Sequence, residues 1–437
     1  MTEALRYVNV AVDAAQDYQT IDGFGVNINS KYWGAPAFDT ALELLVNGPS
    51  AGLRAGLGAT LYRVDIWGKS DWADTGDDVT TGDTFRKGWA LMRYLNERGI
   101  EPYLTASGDV PRWMLAPDGK TLAAYDEFCE MLVSMVEWAR RREGLRFRYF
   151  GPLNETDIGS PEGPSVSAQE FVRVMETLDR KLAGRGLDDI RLVVAEQANF
   201  NADYVRELLT SEPLRQRIGV LGMHTYRDIP PEEYAAFMQV AQPGLDAGMR
   251  LWMSEYGDLD QSGEKEWYVA WASTTRLLGA LEAGFTGAMV WDAFDNVHDH
   301  DGAWTIYGLL RTGLRLFTPK KRYFAAKQVY RYVRPGFRRV AVRHDSPDLK
   351  VLAFASADRK QVTLVGFNAS PSAVYVNANL TGFDADLMAG KVAYYRTTES
   401  ENCVKVEGKP VQTSYWPYTG IDVQVPAWSI FTLSNGS

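Results

Sequence analysis

The stretch Phe147-Arg148-Tyr149-Phe150-Gly151-Pro152-Leu153-Asn154-Glu155 shows the pattern that decides the fold. It is a short run of aromatic and apolar residues that ends on two polar side chains, as a buried strand does when it reaches a loop. Eight such runs follow one another: Ile21–Asn29, Leu61–Ile66, Glu101–Ser107, Phe147–Asn154, Arg191–Glu196, Gly219–His224, Leu251–Glu255 and Gly287–Trp291.

Helical repeats lie between these runs. Tyr125, Phe128 and Leu132 recur at helical spacing, and Ser167-x-x-Glu170 is a capping box that opens another helix. Eight strand-then-helix units predict parallel strands and an α/β fold, a (β/α)8 TIM barrel over residues 21–332. A doubly wound open sheet is the alternative, but Gly23-Phe24-Gly25 lacks the later glycine of a phosphate-binding loop.

The character of the sequence changes after Pro335-Gly336. Short runs rich in β-branched and aromatic residues alternate with turn residues, which predicts an antiparallel β-sandwich over residues 333–437. Tyr7–Val12 also has strand character, so residues 1–20 are predicted to add a strand to the sandwich and to tie the two chain ends together.

Composition excludes several classes of partner. The 437 residues carry a formal charge of −10 without a basic run, which argues against nucleic acid and anionic membranes as partners. No apolar stretch approaches the roughly 20 residues of a membrane span. The first ten residues show no signal peptide, which predicts a cytoplasmic protein or a secreted one whose leader has been removed. No cofactor motif is recognised, and the oligomeric state is left open.

Two glutamates end predicted strands at the same edge of the barrel. Glu155 follows the fourth strand and Glu255 ends the seventh, and the carboxyl ends of barrel strands are where active sites form. Two opposed carboxylates are what hydrolysis of a glycosidic bond requires, one protonated and one ionised. The sequence therefore predicts a carbohydrate substrate.

These residues resemble a known family. Asn154-Glu155 after strand four and Glu255 after strand seven are similar to the clan of retaining glycosidases built on this barrel, and most similar to glycoside hydrolase family 30. Further matches are Ile21-Asp22-Gly23-Phe24-Gly25, Tyr330-x-x-Val333-Arg334-Pro335-Gly336 and Pro426-Ala427-Trp428-Ser429-Ile430. The resemblance implies that Glu155 is the acid/base and Glu255 the nucleophile. Thr156 departs from the family, which usually has proline there, and this leaves the substrate open.

Other side chains at the predicted rim are candidates for substrate binding. Asn154 is expected to donate to the sugar 2-hydroxyl, and Tyr226 to hold Glu255 ionised and aimed. His224 is expected either to orient Glu155 or to bind a hydroxyl. The remaining candidates are Arg63 and Asp65 on strand two and the aromatic platforms Trp113 and Trp291.

Two other functions stay open at this point. One is a non-catalytic carbohydrate-binding protein that keeps the aromatic platforms while its carboxylates lie apart. The other is a metal-dependent hydrolase that uses the loop His298–Asp301, although its spacing matches no complete calcium loop and no metal ligand is predicted. A retaining glycosidase predicts carboxyl groups about 5–5.5 Å apart.

Overall fold

The computed structural model describes residues 6–46, 56–66, 82–297, 303–383, 392–415 and 418–436. Strand β1 (Arg6–Thr20) precedes a closed barrel of eight parallel strands, which confirms the predicted fold. The barrel strands are β2 (Gly23–Asn29), β3 (Leu61–Ile66), β4 (Tyr103–Ala106), β5 (Tyr149–Gly151), β6 (Arg191–Ala195), β7 (Ile218–Thr225), β8 (Arg250–Tyr256) and β9 (Gly287–Val290).

Helices surround the barrel. Ser167 caps the predicted helix, because its side chain accepts a hydrogen bond from the backbone N–H of Glu170. The helices described are α1 (Phe38–Leu45), α2 (Asp83–Glu97), α3 (Tyr125–Arg141), α4 (Ala168–Gly184), α5 (Asp203–Leu208), α6 (Glu212–Arg217), α7 (Pro231–Asp246), α8 (Glu266–Ala283) and α9 (Lys321–Tyr330), with a 3-10 turn at Arg112–Met114. None of these helices has the length and apolar character to cross a bilayer.

Large side chains fill the interior of the barrel. Tyr103, Val193, Val220, Trp252 and Met289 form a buried cluster inside it. The Trp252 indole N–H donates to Asp22 at 2.8 Å. The interior is therefore packed, and the space for a ligand lies at the carboxyl ends of the strands.

The second unit is a ten-stranded sheet. Its strands, in the order in which they lie in the sheet, are β19 (Val404–Lys405), β18 (Ala393–Thr397), β22 (Ser429–Ser434), β16 (Val362–Asn368), β15 (Leu349–Ala355), β14 (Arg338–Arg343), β1, β17 (Val374–Thr381), β21 (Tyr418–Val425) and β20 (Val411–Tyr415). Strand β1 belongs to this sheet, where it pairs in parallel with β17 and antiparallel with β14. The sheet is thus not purely antiparallel, because β1 enters it from the other end of the chain. Val8, Val10 and Val12 alternate into its core.

Two pairs of short strands follow the barrel strands. Two small hairpin-like sheets follow the barrel, formed by β10 (Asn296–Val297) with β11 (Trp304–Thr305) and by β12 (Leu310–Arg311) with β13 (Thr318–Pro319).

One barrel strand is much shorter than predicted. The run Phe147–Asn154 forms a strand only over β5, because Pro152 has no N–H to continue the ladder. Asn154 and Glu155 therefore stand on the loop that leaves the strand. Glu155 has a φ of 44°, in the left-handed region that a residue with a side chain seldom adopts.

Candidate active site

Glu155 and Glu255 converge at the mouth of the barrel. Glu155 follows β5, and Glu255 lies near the end of β8; their exposed fractions are 7% and 4%. One carboxylate oxygen of Glu155 lies within 4.8 Å of one of Glu255. That separation fits the spacing of about 5–5.5 Å in retaining glycosidases, and it is well short of the roughly 6.5–9.5 Å that inverting enzymes need for a water.

Arg63 is the central cation of the site. It is fully buried on β3, and its guanidinium donates to a carboxylate oxygen of Glu255. It also donates to the amide oxygen of Asn154 at 2.7 Å and to that of Asn27 at 2.8 Å. Because a rigid fork of donors serves all three acceptors, one residue fixes the positions of the nucleophile candidate and of the Asn154 amide.

Tyr226 and Asp65 complete the surroundings of Glu255. The Tyr226 hydroxyl, just past β7, donates to the second carboxylate oxygen of Glu255. Asp65 lies 3.6 Å from Arg63 and accepts a hydrogen bond from Ser107 at 3.1 Å. Burial raises the pKa of Asp65 to about 7, although Arg63 opposes the shift. Tyr226 and Arg63 therefore leave Glu255 with a donor on each oxygen.

His224 lies among three carboxylates. Its Nδ1 is 2.7 Å from Glu155 and 3.6 Å from Glu255, and its Nε2 is 3.7 Å from Glu196. Burial alone would lower the pKa of His224, but Glu255, Glu155 and Glu196 together raise it to about 10. This raised pKa favours the charged imidazolium, in which Nδ1 carries a proton to donate to Glu155. The contact between His224 and Glu155 is what the first of the two roles expected for His224 requires.

Burial raises the pKa of Glu155, against the opposing effect of His224 and with a further increase from Glu255. The two glutamates thus sit in different environments. Glu255 receives two donors that stabilise a negative charge, whereas Glu155 is more easily kept protonated. The cluster is not assigned as a metal site, because Arg63 and the charged His224 already compensate its negative charge.

Glu196 is a member of the site that sequence reasoning missed. It directly follows β6, has an exposed fraction of 0%, and accepts a hydrogen bond from the Tyr103 hydroxyl. Its carboxylate lies 3.5 Å from the Arg63 Nε. Burial would raise the pKa of Glu196, but Arg63 and His224 outweigh it and lower the pKa. The available signal was its position, since it ends a predicted strand just as Glu255 does.

The loop that leaves β5 is anchored to the neighbouring loop. The Asp157 carboxylate accepts the backbone N–H groups of Ala198 and Asn199, each at 2.9 Å. Thr156 donates to the Gln197 side chain at 3.2 Å. Thr156, where the resembled family usually has proline, thus serves to hold this loop. Glu162 lies farther along it, and burial together with Glu155 and Glu255 raises its pKa to about 8.

The aromatic candidates lie on loops after strands. Trp113 is in the 3-10 turn beyond β4 with an exposed fraction of 52%, and half-buried Trp291 directly follows β9. In the loop beyond Trp291, Asp292 accepts a hydrogen bond from Asn296 at 2.7 Å, and Asp295 forms an ion pair with Lys320 at 2.7 Å. The proposed metal loop His298–Asp301 lies outside the described residues.

A closed (β/α)8 barrel joined to a β-rich unit, with two carboxylates facing each other at its mouth, is typical of glycoside hydrolases. No known family profile matches the chain. An endo-β-1,6-galactanase from Hypocrea rufa is 20% identical over 412 residues, which covers 82% of this chain and 81% of that protein.

Solved structures are similar over nearly the whole chain. A glycoside hydrolase family 30 endoxylanase from Clostridium papyrosolvens C71 has a TM-score of 0.76 at 19% identity and covers 98% of this chain and 100% of its own. An endo-β-1,6-glucanase has a TM-score of 0.73 at 16% identity, with coverages of 100% and 94%. The chain thus has the fold of family 30 enzymes, and the comparisons support the glycoside hydrolase predicted from the sequence.

Proposed function

We propose that the chain is a retaining β-glycoside hydrolase that cleaves a glycosidic bond in an oligosaccharide, polysaccharide or glycoconjugate. The observation that carries the proposal is the separation of Glu155 and Glu255, whose nearest oxygens lie within 4.8 Å of each other. A non-catalytic binding protein is less well supported, since it has no need for two buried carboxylates that converge.

Glu255 acts as the nucleophile. Its oxygens receive donors from Arg63 and Tyr226, which hold the carboxylate in place for attack on the anomeric carbon. In the first step a bond forms between a Glu255 oxygen and the anomeric carbon, and the bond to the leaving oxygen breaks. The product of this step is a glycosyl ester on Glu255.

Glu155 acts as the acid and then as the base. It gives its proton to the leaving oxygen in the first step, and it takes a proton from the water that hydrolyses the ester in the second. The charged His224 supports this change of state, because its hydrogen bond to Glu155 stabilises the carboxylate that forms. The raised pKa of Glu155 suits its first role.

Asn154 positions the sugar. Arg63 holds the amide oxygen, so the amide nitrogen is the group presented to the substrate. A donor to the 2-hydroxyl strengthens as positive charge develops at the anomeric carbon. Asp65, Trp113 and Trp291 are proposed to contact further parts of the sugar, the two indoles by stacking on its C–H faces.

A neutral β-linked polysaccharide is the proposed substrate class. The cations Arg63 and His224 already face the carboxylates of Glu255 and Glu155, which disfavours their use in binding a negatively charged sugar. The names of similar proteins point to β-1,6-galactan, β-1,6-glucan and xylan as the first polymers to test.

The test is a nucleophile replacement with chemical rescue. Glu255→Gly is expected to lose hydrolysis of aryl β-glycosides and to recover it partly with azide, which enters the vacated space and gives the α-glycosyl azide. Glu155→Ala is expected to give the β-glycosyl azide instead. Glu264→Gly, on the exposed loop after β8, is the control and keeps full activity. Undiminished hydrolysis by Glu255→Gly would refute the assignment. Activity that chelators abolish would favour the metal-dependent alternative.

A further inference from the structure

Glu196 is a buried carboxylate that the proposed reaction does not use directly. Its side chain contacts Tyr103, Arg63 and His224, none of which belongs to its own strand. A buried ionised carboxylate costs several kcal/mol unless it is paired and hydrogen-bonded. A group of this kind at the centre of a cleft is a candidate for a functional role.

The backbone of Glu196 also touches the acid/base. The Glu155 N–H donates to the Glu196 carbonyl at 2.9 Å, and the Glu196 N–H donates to Gly222 at 2.9 Å. Glu196 has a φ of 54°, so both glutamates hold an uncommon left-handed backbone and are bonded to each other there.

Two glycines leave the space that the Glu196 side chain fills. A methyl group on Gly151 would lie 2.5 Å from a Glu196 carboxylate oxygen, and one on Gly222 would lie 3.0 Å from its Cγ. The small residues on β5 and β7 thus admit Glu196 to the interior of the barrel. The fold is built around this carboxylate.

We infer that Glu196 is a positioning residue that keeps the His224 ring charged and aimed at Glu155 through both steps of the reaction. The inference rests on the proposed function of Glu155 and Glu255. Charged and titratable groups from five other strands face His224 or its partners: Arg63 from β3, Tyr103 from β4, Glu155 beyond β5, Glu196 beyond β6 and Glu255 on β8.

The three carboxylates around His224 differ in what happens to them during turnover. Glu255 loses its charge when it becomes an ester, and Glu155 changes between acid and carboxylate. Glu196 touches no reacting atom and stays ionised throughout. It is therefore the constant negative charge beside the imidazolium. It lies 3.7 Å from Nε2, while Nδ1 on the other side of the ring lies 2.7 Å from Glu155.

The direct test follows the ring of His224 by ¹⁵N NMR in the full chain. The chain has four histidines, so a His224→Gln spectrum assigns the signal. In the wild type the pKa of His224 is expected to lie at about 10, far above that of an ordinary histidine. In Glu196→Gln the pKa of His224 is expected to fall by about 1–2 pH units. Glu196→Asp, which keeps the charge, restores most of it.

Kinetics give a second readout that a merely structural role would not move. Glu196→Gln is expected to lower kcat by at least about tenfold and to leave KM within about twofold of the wild-type value. The loss is part of the roughly 10²- to 10⁴-fold rate increase that a positioned general acid supplies. The alkaline limb of kcat/KM moves to lower pH, because a negative charge near Glu155 is lost. Glu176→Gln on α4, whose carboxylate accepts from Ser211 at 2.7 Å, is the control and changes neither.

Two results would overturn the inference. The first is a wild-type His224 whose pKa lies at or below about 6.5. This measurement does not depend on the folding of any variant. The second is an active wild type whose folded Glu196→Gln variant keeps the same His224 titration and pH profile. Failure of the proposed function is a separate outcome, since it would appear as Glu255→Gly retaining hydrolysis whatever His224 does.

Discussion

Replacing Gly151 by alanine is a sharp test of how the site is assembled, since it adds one methyl group and removes no polar group. The new Cβ would lie 2.5 Å from Glu196, 2.8 Å from the Thr105 hydroxyl and 2.9 Å from a Tyr103 ring carbon. Ordinary van der Waals contact begins near 3.4 Å. The neighbours must therefore move by about 0.5–1 Å, in a core packed as densely as a crystal.

The magnitude follows from what moves. Inserting a methyl group into a packed core costs about 1–3 kcal/mol. With an unfolding entropy of roughly 2.1 cal/mol/K per residue over 437 residues, this lowers the melting temperature by about 1–3 °C. The effect on activity is larger. Tyr103 and Glu196 both contact Arg63, and a displacement approaching 1 Å at a catalytic group costs up to about 100-fold, so kcat/KM is expected to fall by about 10- to 100-fold.

The assay compares Gly151→Ala with Gly184→Ala. Gly184 ends α4, and a methyl group there would meet no atom within 4 Å. Because alanine is the better helix former by roughly 1 kcal/mol, the Gly184 variant is expected to be as stable as the wild type or slightly more so, with full activity. Thermal unfolding and kcat/KM on an aryl glycoside are measured for both. A Gly151→Ala enzyme with wild-type kcat/KM would show that Glu196 and Tyr103 do not position the catalytic groups.

Two further predictions concern the same cluster. Tyr226→Phe removes the hydroxyl that donates to Glu255. Because a hydrogen bond to a charged group contributes roughly 1.5–3 kcal/mol, kcat/KM is expected to fall by about 10- to 150-fold. Tyr268→Phe, which changes an exposed tyrosine, is the control and has no effect. The second concerns pH. The folded pKa of His224 is raised from 6.5 to about 10, so its stabilising contribution is complete below pH 6.5 and is lost as the pH rises towards 10. The free energy of unfolding is expected to fall by as much as about 1.4 kcal/mol per pH unit in that window, and constant stability between pH 7 and 9.5 in denaturant titrations would contradict a charged His224.

The barrel and the two glutamates were predictable because their signals are local. Buried parallel strands read as continuous apolar runs, and each of the eight runs overlaps an observed strand. The ends of strands four and seven could then be placed at one rim without coordinates, since all strands of this barrel point the same way. The largest departure, β5, came from Pro152, whose missing N–H ends the ladder earlier than the apolar run suggests.

The supporting network was not predictable in the same way. Asn27, Tyr103 and Glu196 meet Arg63 from three different strands, and their contacts depend on barrel stagger and on side-chain direction rather than on spacing in the sequence. Glu196 ends its apolar run as Glu255 does, but it has no flanking asparagine, so its position alone did not separate a role in the site from a structural one. The parallel pairing of β1 with β17 depends on how two distant chain ends approach, which no local pattern encodes.

The network explains why a third carboxylate belongs in a site whose chemistry needs two. Before reaction, protonated Glu155, ionised Glu255 and Glu196, the cations Arg63 and His224, and Asp65 in the neutral form that burial favours sum to zero charge. In the glycosyl ester, Glu255 is neutral and Glu155 is ionised, so the sum is again zero. Burial makes any uncompensated charge costly here. Because the charge sum is the same before and after the first step, proton transfer leaves no uncompensated charge in the buried cluster. Without Glu196 the cluster would carry one excess positive charge in both states. His224 would then be favoured to lose its proton, and with it the donor that stabilises the Glu155 carboxylate when the leaving group departs.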